Sequence, residues 1–150
     1  LPTDLITIEN DEMSHGLEQS LMLEKDVALV LDIHHHWIRD EEYIEPTDDR
    51  VKRVIDSWRG QRPTLHYSYS RDEALAPADL GDTMHTAMHN MKDLLDKGCK
   101  KQKLRAHSDF YPNTKANNWA LSFGENFDIQ AESKGKNLAS EQLYTQSLSD

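Results

Sequence analysis

Acidic and histidine side chains follow the strand-like segments of this sequence at several points. Each of them lies at or just after the carboxyl end of a short apolar run. Because parallel strands bring their carboxyl ends to one edge of a sheet or barrel, we expect these side chains to meet there. The predicted set has three carboxylates and three imidazoles: Glu9, Asp32, Glu132, His35, His66 and His107.

A mixed set of oxygen and nitrogen ligands favours Mn²⁺, Zn²⁺ or Fe²⁺ over Mg²⁺ or Ca²⁺. More than four ligands predict at least two ions, because one tetrahedral zinc cannot use them all. Clustered carboxylates also repel one another unless cations lie between them. The alternative is structural: a single histidine at a strand end is commonly a hydrogen-bonded residue, and Glu9 or Glu132 alone would be a helix cap or a solvated charge.

Three consecutive histidines, His34 to His36, follow Asp32. Alternation along a strand places Asp32 and His34 on one face and His35 on the other. We favour His35 as the ligand because the strand should be ending there. Other histidines have weaker cases as ligands, namely His15, His85 and His89.

The apolar pattern alternates between short strand-like runs and longer helical ones, which is typical of an α/β protein with parallel strands. The chain length of 150 residues fits one domain. Five strands are predicted at Asp4–Glu9, Val27–Ile33, Thr64–Tyr67, Lys103–His107 and Phe127–Glu132. Helices are predicted at Leu17–Glu24, Asp48–Trp58, Asp82–Lys97, Lys115–Phe123 and Ser140–Leu148.

The formal charge is -10, from 17 Lys plus Arg against 27 Asp plus Glu. Such an acidic balance argues against a generic nucleic-acid-binding protein. A basic stretch before His107 nevertheless predicts either a local phosphate-facing rim or a solvated helix end: Lys97, Lys100, Lys101, Lys103 and Arg105.

The longest apolar run, Val27 to Leu31, is far shorter than the roughly 20 residues of a membrane-spanning helix. No secretory signal is recognisable, and a single cysteine, Cys99, fits a reducing compartment, so we expect a cytoplasmic protein. Because the chain opens on Leu1, we also expect a piece of a longer polypeptide.

Five motifs, in order along nearly the whole chain, resemble the carboxy-terminal half of the UV damage endonucleases. They are Ile8-Glu9-Asn10-Asp11, Leu31-Asp32-Ile33-His34-His35-His36, Leu65-His66-Tyr67-Ser68, His107-Ser108-Asp109 and Ala131-Glu132-Ser133-Lys134-Gly135-Lys136. That family consists of metal-dependent DNA repair nucleases on a TIM barrel, related to apurinic endonucleases and to xylose-isomerase-like barrels.

The resemblance implies hydrolysis of a DNA phosphodiester 5′ to a damaged base, with two or three divalent ions, Mn²⁺ before Zn²⁺. It implies that the six residues above are ligands, with Glu9, Asp32 and Glu132 as the catalytic carboxylates. Asp109 would be an additional or indirect ligand. The predicted DNA contacts are Lys134 and Lys136 near the phosphate, together with Arg105 in the basic stretch.

Two departures from the family pattern stand out. Thr64 occupies a position where some relatives carry lysine, and the amino-terminal barrel strands are missing. Because a TIM barrel takes about 250 residues, we expect residues 1–150 to form one domain, the carboxy-terminal part of a barrel with about five parallel strands. The expected partners are damaged DNA and either the missing half or a second copy of the chain.

Two other functions remain open from the sequence. A sugar isomerase or epimerase of the same barrel superfamily would use a similar set of ligands around one divalent metal. A truncated half barrel could also be a non-catalytic module that keeps its ligands.

Overall fold

One parallel sheet of four strands organises the protein. The computed structural model describes residues 6–132, 143–146 and 148. Its strands are adjacent in chain order: β1 (Thr7–Glu9), β2 (Ala28–Asp32), β3 (Thr64–Tyr67) and β4 (Asp128–Ala131). All three neighbouring pairs are parallel. This order is the one that consecutive strands have in a TIM barrel, and the barrel itself stays a prediction.

Short helices flank the sheet. In chain order they are α1 (Leu17–Leu21), α2 (Ile33–Asp40), α3 (Asp49–Asp56), α4 (Asp72–Leu75), α5 (Met91–Asp96), α6 (Lys101–Leu104) and α7 (Thr114–Leu121). Two single-turn 3₁₀ helices, Ala76–Ala78 and Gly81–Thr83, lie between α4 and α5. Across the described ranges, no helix has the length and apolar character needed to cross a membrane.

Polar side chains start four of these helices. The side chains of Asp32, Asp48, Asn90 and Asn113 accept hydrogen bonds from backbone N–H groups in the first turns of α2, α3, α5 and α7. Such caps satisfy donors that have no partner inside the helix. The helices predicted at Leu17–Glu24, Asp48–Trp58 and Lys115–Phe123 are present as α1, α3 and α7, each shorter than predicted.

The strand predicted at Lys103–His107 is wrong. Residues Lys101–Leu104 form α6, and His107 makes only an isolated antiparallel bridge with Ser70. Lysine, glutamine and leucine favour helix, and the stretch has none of the β-branched or aromatic residues that favour a strand. The described sheet therefore has four strands where five were predicted.

The long helix predicted at Asp82–Lys97 is also wrong over its first half. The hydroxyl groups of Thr83 and Thr86 donate to the carbonyls of Leu80 and Asp82, at 2.6 and 2.9 Å. Side chains that bond to the nearby backbone favour turns over helix interiors. A regular helix, α5, begins only after Asn90.

Parts of two predicted elements lie outside the described residues. Residues 1–5 of the first predicted strand are among them. In the predicted helix Ser140–Leu148, residues 143–146 and 148 are helical, and the others are not described.

Two apolar clusters hold the fold together. The first joins the strands to α1, α3 and α7, and its centre is β2, all five residues of which are buried. The second lies in the β3–α7 segment, which we define as residues 68–113, and includes Leu75, Met91, Leu94 and Leu104. Trp37 and Ile38 of α2 complete this second cluster and attach the segment to the helix that follows β2.

Candidate metal centre

Each of the four strands has one acidic or histidine side chain at the carboxyl edge of the sheet. Glu9 ends β1, Asp32 ends β2, His66 lies one residue before the end of β3, and Glu132 directly follows β4. The register pairs Asp32 with His66, so these two residues are at the same level of the sheet. Because the strands are parallel, residues that are far apart in the chain lie close together at this edge.

One ligand atom from each of Glu9, Asp32, His66 and Glu132 lies within 4.8 Å of the others. His66 is central, because its Nδ1 lies 3.0 Å from Glu9 Oε1 and 3.2 Å from Glu132 Oε1. A carboxylate only accepts hydrogen bonds, so Nδ1 donates here. The arrangement offers three oxygen donors and one nitrogen donor to a cation.

Asp32 is the most buried member of the cluster, with 0% of its surface exposed. One carboxylate oxygen, Oδ1, accepts a hydrogen bond from the backbone N–H of His35 at 2.8 Å. The other oxygen, Oδ2, has no hydrogen-bond partner among the described residues. A buried carboxylate oxygen without a donor is costly, and a divalent cation at this edge would satisfy it. The donor set therefore fits a metal ion.

Burial and mutual charge control the protonation of the cluster. Burial, followed by the interactions with the Glu9 carboxylate and the charge of Glu132, raises the pKa of Asp32 well above its usual value. Burial also acts to raise the pKa of Glu9, but the hydrogen bond from His66 and the charges of His66 and His35 lower it overall. Burial opposes protonation of His66, yet Glu9 and Glu132 raise its pKa overall.

His35 lies beside this cluster. Its Nδ1 donates to the carbonyl oxygen of Asn10 at 2.9 Å and is 3.3 Å from Asp32 Oδ2 and 3.6 Å from Glu9 Oε1. This hydrogen bond fixes the ring so that Nε2 points towards Glu12, whose Oε2 is 3.3 Å away. The nitrogen on the side of the cluster is thus the one that already donates to the Asn10 carbonyl, and the other nitrogen faces Glu12, so the role of His35 as a ligand stays a prediction.

The two neighbouring histidines point elsewhere. His34 Nε2 lies 3.0 Å from Ser70 Oγ, which itself donates to the carbonyl of Leu104, and His36 Nε2 lies 2.6 Å from Glu42. Burial lowers the pKa of His34 to about 3, so this ring is neutral at ordinary pH. Of the three, only His35 contacts the carboxylates at the sheet edge.

His107 is not part of the four-residue group. The residue lies in the β3–α7 segment, where its backbone bridges Ser70 and its ring lies 6.1 Å from that of His34. Burial and the charge of His35 lower the pKa of His107, while the charge of Glu132 acts in the opposite direction. His107 is thus close enough to respond to the cluster, and its role as a ligand stays a prediction.

The other predicted site residues are spread more widely. Arg105 Nε donates to Glu12 Oε1 at 2.5 Å, and Asp109 is exposed. Lys134 and Lys136 lie outside the described residues. Thr64 is the first residue of β3, at the opposite end of that strand from the cluster.

Sequence reasoning missed two residues that position this site. The side chain of Asn10 bonds to both the backbone N–H and the carbonyl of Asp32, at 2.8 and 2.9 Å. Glu12 lies between His35 and Arg105. Both follow Glu9 within three residues, and a polar stretch directly after a strand was the signal available for them.

Fold and site together define an α/β protein with parallel strands and an acidic and histidine cluster at their carboxyl ends. The chain belongs to the UV-endonuclease UvdE family, whose model matches residues 3–150. No curated protein and no solved structure matches it. This match confirms the resemblance inferred from the five motifs. The family consists of endonucleases, a class of hydrolase, that act in the repair of UV-damaged DNA.

Proposed function

We propose that the protein is a metal-dependent endonuclease that hydrolyses a DNA phosphodiester on the 5′ side of a damaged base. Membership of the UvdE family supports the substrate and the reaction class. The observation that carries metal dependence is the cluster of three carboxylates and one imidazole within 4.8 Å. Mn²⁺ or Zn²⁺ suits this mixture of oxygen and nitrogen donors.

In this proposal Glu9, Asp32, His66 and Glu132 hold the metal ions, and His35 and His107 complete the set of ligands. Bound divalent ions would neutralise phosphoryl charge and lower the pKa of a water molecule. The side chain of Asn10 donates a hydrogen bond to the backbone carbonyl of Asp32. The backbone carbonyl of Asn10 accepts a hydrogen bond from the ring of His35 and orients it. The chain's own contribution is therefore to keep its donors in place before DNA binds.

DNA contacts form a second part of the proposal. Lys134 and Lys136 follow Glu132 in the chain, so we assign them to the phosphate next to the metal centre. Arg105 is paired with Glu12. This pairing supports a positioning role for Arg105 beside any contact with phosphate, because it holds Glu12 against His35.

We also propose that the sheet is a section of a TIM barrel. The parallel strands in chain order support this, as does the location of the cluster at their carboxyl ends. Further strands would then pair with β1 and β4, from a second copy of this chain or from the amino-terminal half of a barrel.

The test is metal content together with nicking of UV-irradiated supercoiled plasmid. We expect the protein to carry at least one equivalent of Mn²⁺ or Zn²⁺ after dialysis, and EDTA to abolish nicking until metal is restored. Glu132→Gln and His66→Ala should lose most of the bound metal and at least about 100-fold in nicking rate, because each removes a donor. Their circular dichroism should match that of the parent.

The matched control is Glu125→Gln, the same chemical change at an exposed residue before β4. This variant should keep both metal and activity. Metal content that is unchanged in Glu132→Gln and His66→Ala would contradict the proposed site. Bound metal without nicking, even after the amino-terminal half is added, would favour a non-catalytic module.

A further inference from the structure

A basic groove crosses the surface of the β3–α7 segment. It has a volume of about 600 Å³, and its charged lining residues are Arg71, Lys100, Lys103 and Glu73. Three cations against one carboxylate give this groove a positive charge, although the whole chain carries -10. An acidic protein that acts on a polyanion needs such a local region, because the rest of its surface repels the substrate.

The two lysines of the groove are available for a partner. Lys100 and Lys103 are both exposed, and no carboxylate in the described ranges forms an ion pair with either. Their neighbours differ: Lys101 pairs with Glu41, and Arg105 pairs with Glu12. The basic stretch noted in the sequence therefore separates into residues that hold the fold and residues that face the groove.

One lining residue of the groove, Arg71, contacts the backbone around His107. Arg71 Nε donates to the carbonyl of His107 at 2.9 Å, and the backbone N–H of Arg71 donates to the carbonyl of Ala106, a lining residue, at 3.3 Å. The segment also leaves the sheet at the carboxyl end of β3, next to His66. Arg71 therefore joins the groove to the backbone of His107, a predicted ligand in the segment that follows β3.

We propose that this basic groove binds the phosphate backbone of duplex DNA flanking the cleavage site, a choice of partner that rests on the proposed endonuclease function. Lysines contact phosphates without reading sequence, so the groove contributes affinity that is independent of sequence and lesion. A groove of about 600 Å³ is larger than one phosphate. Its cations on two separate stretches of chain suit successive phosphates of a strand better than a single small anion.

The test is fluorescence anisotropy of a labelled, undamaged 30-base-pair duplex in EDTA, over a range of salt concentrations. Lys100→Gln/Lys103→Gln removes the two free cations. We expect its Kd to rise at least about tenfold at 0.1 M salt, and the slope of log affinity against log salt to fall by about two. The matched control is Lys25→Gln/Lys52→Gln, because both residues are exposed and neither lies in the groove.

Equal Kd values and slopes for the two double variants would overturn the proposal. Thermal melting checks that both are folded, and Lys100→Glu/Lys103→Glu should weaken binding further. Inorganic phosphate at constant ionic strength should compete only weakly. Displacement of the duplex by low millimolar phosphate would show a site for a single anion and would also overturn the proposal.

The outcome for this groove is separable from that of the proposed function. Nicking of UV-irradiated plasmid by Lys100→Gln/Lys103→Gln should show a raised KM and an unchanged kcat. An unchanged KM would contradict DNA binding by the groove and would not affect the proposed endonuclease function. If the double variant loses DNA binding but the parent shows no metal-dependent nicking, the proposed endonuclease function is contradicted and DNA binding by the groove is supported.

Discussion

The two carboxylate oxygens of Asp32 have different surroundings and different roles. Its Oδ1 caps α2 through the backbone N–H of His35, and its Oδ2 is buried at the cluster without a hydrogen-bond donor in the described chain. The first role needs only an oxygen acceptor, which asparagine also supplies. The second needs a negative charge, which only the carboxylate supplies. One substitution can therefore separate the helix cap from the proposed binding of metal.

Asp32→Asn should stabilise the metal-free protein and abolish its response to metal. Asparagine keeps the cap and needs neither a buried charge nor a bound proton beside Glu9 and Glu132, so we expect the free energy of unfolding in EDTA to rise by about 1 kcal/mol. Adding Mn²⁺ should raise the Tm of the parent and leave that of the variant unchanged. Differential scanning fluorimetry with and without metal measures both effects.

Asp26→Asn is the control for this experiment, since Asp26 is exposed in the loop before β2. It should leave both the metal-free stability and the metal response as in the parent. A parent whose Tm does not respond to any divalent ion would count against the cluster as a metal centre.

At the scale of single elements, α3 has a charged amino-terminal cap. Asp48 accepts from the backbone N–H of Arg50 at 2.8 Å and pairs with its guanidinium at 2.9 Å. These interactions with Arg50 outweigh burial and lower the pKa of Asp48 below its usual value. The ionised form therefore stabilises the folded state, in full above the unfolded pKa near 4 and less as the pH falls through the folded pKa.

Asp48→Ala should therefore lower the free energy of unfolding by about 1 kcal/mol at pH 7. Urea unfolding at pH 7, 5 and 3 should show this difference shrinking in acid, where the parent also loses the charge. Asp48→Asn keeps the cap and should lie between the two. A difference between parent and Asp48→Ala that stays constant over this range would show that the carboxylate charge contributes nothing.

The elements also show which parts of the molecule were predictable. The apolar run around Leu31 and the pattern at Leu65 and Tyr67 located β2 and β3, because buried central strands leave a strong local signal. The cluster followed from those strand ends, since parallel pairing needs no further information to bring Asp32 and His66 together. Local pattern was sufficient for the continuous burial of β2 and for the alternating burial of β3.

The β3–α7 segment was not predictable in the same way. Its helices are short, and its cluster draws on Trp37 and Ile38 from α2, which no local window can reveal. His107 reaches its place through Ser70 and Arg71, contacts that depend on the whole segment. Tertiary contacts decide the place of His107, whereas the helix at Lys101–Leu104 follows from local helix-favouring residues that the strand prediction did not weigh.

At the scale of the whole molecule, the outer strands of the sheet are less covered than the inner ones. Every residue of β2 is buried, whereas β1 and β4 have exposed and half-buried residues. Parallel strands are ordinarily covered on both faces, and open edges tend to pair with other strands. The two outer strands are therefore the places where we expect another polypeptide to add to the sheet.

Association through these edges should depend on concentration. Light scattering after size exclusion should show the mass moving towards that of a dimer as the protein concentration rises. Ile6→Lys places a charge next to β1 and should reduce the association, whereas Met22→Lys, at an exposed position after α1, should not. A constant monomer mass for the parent, with no binding of an added amino-terminal half, would contradict this expectation.

The second apolar cluster has a consequence for how such a protein can diversify. Because the β3–α7 segment packs largely around its own apolar residues, its outer surface can gain, lose or exchange residues without disturbing the strand ends. On the two proposals above, the reaction at the strand ends and the contact with DNA in this segment could then change at different rates during evolution.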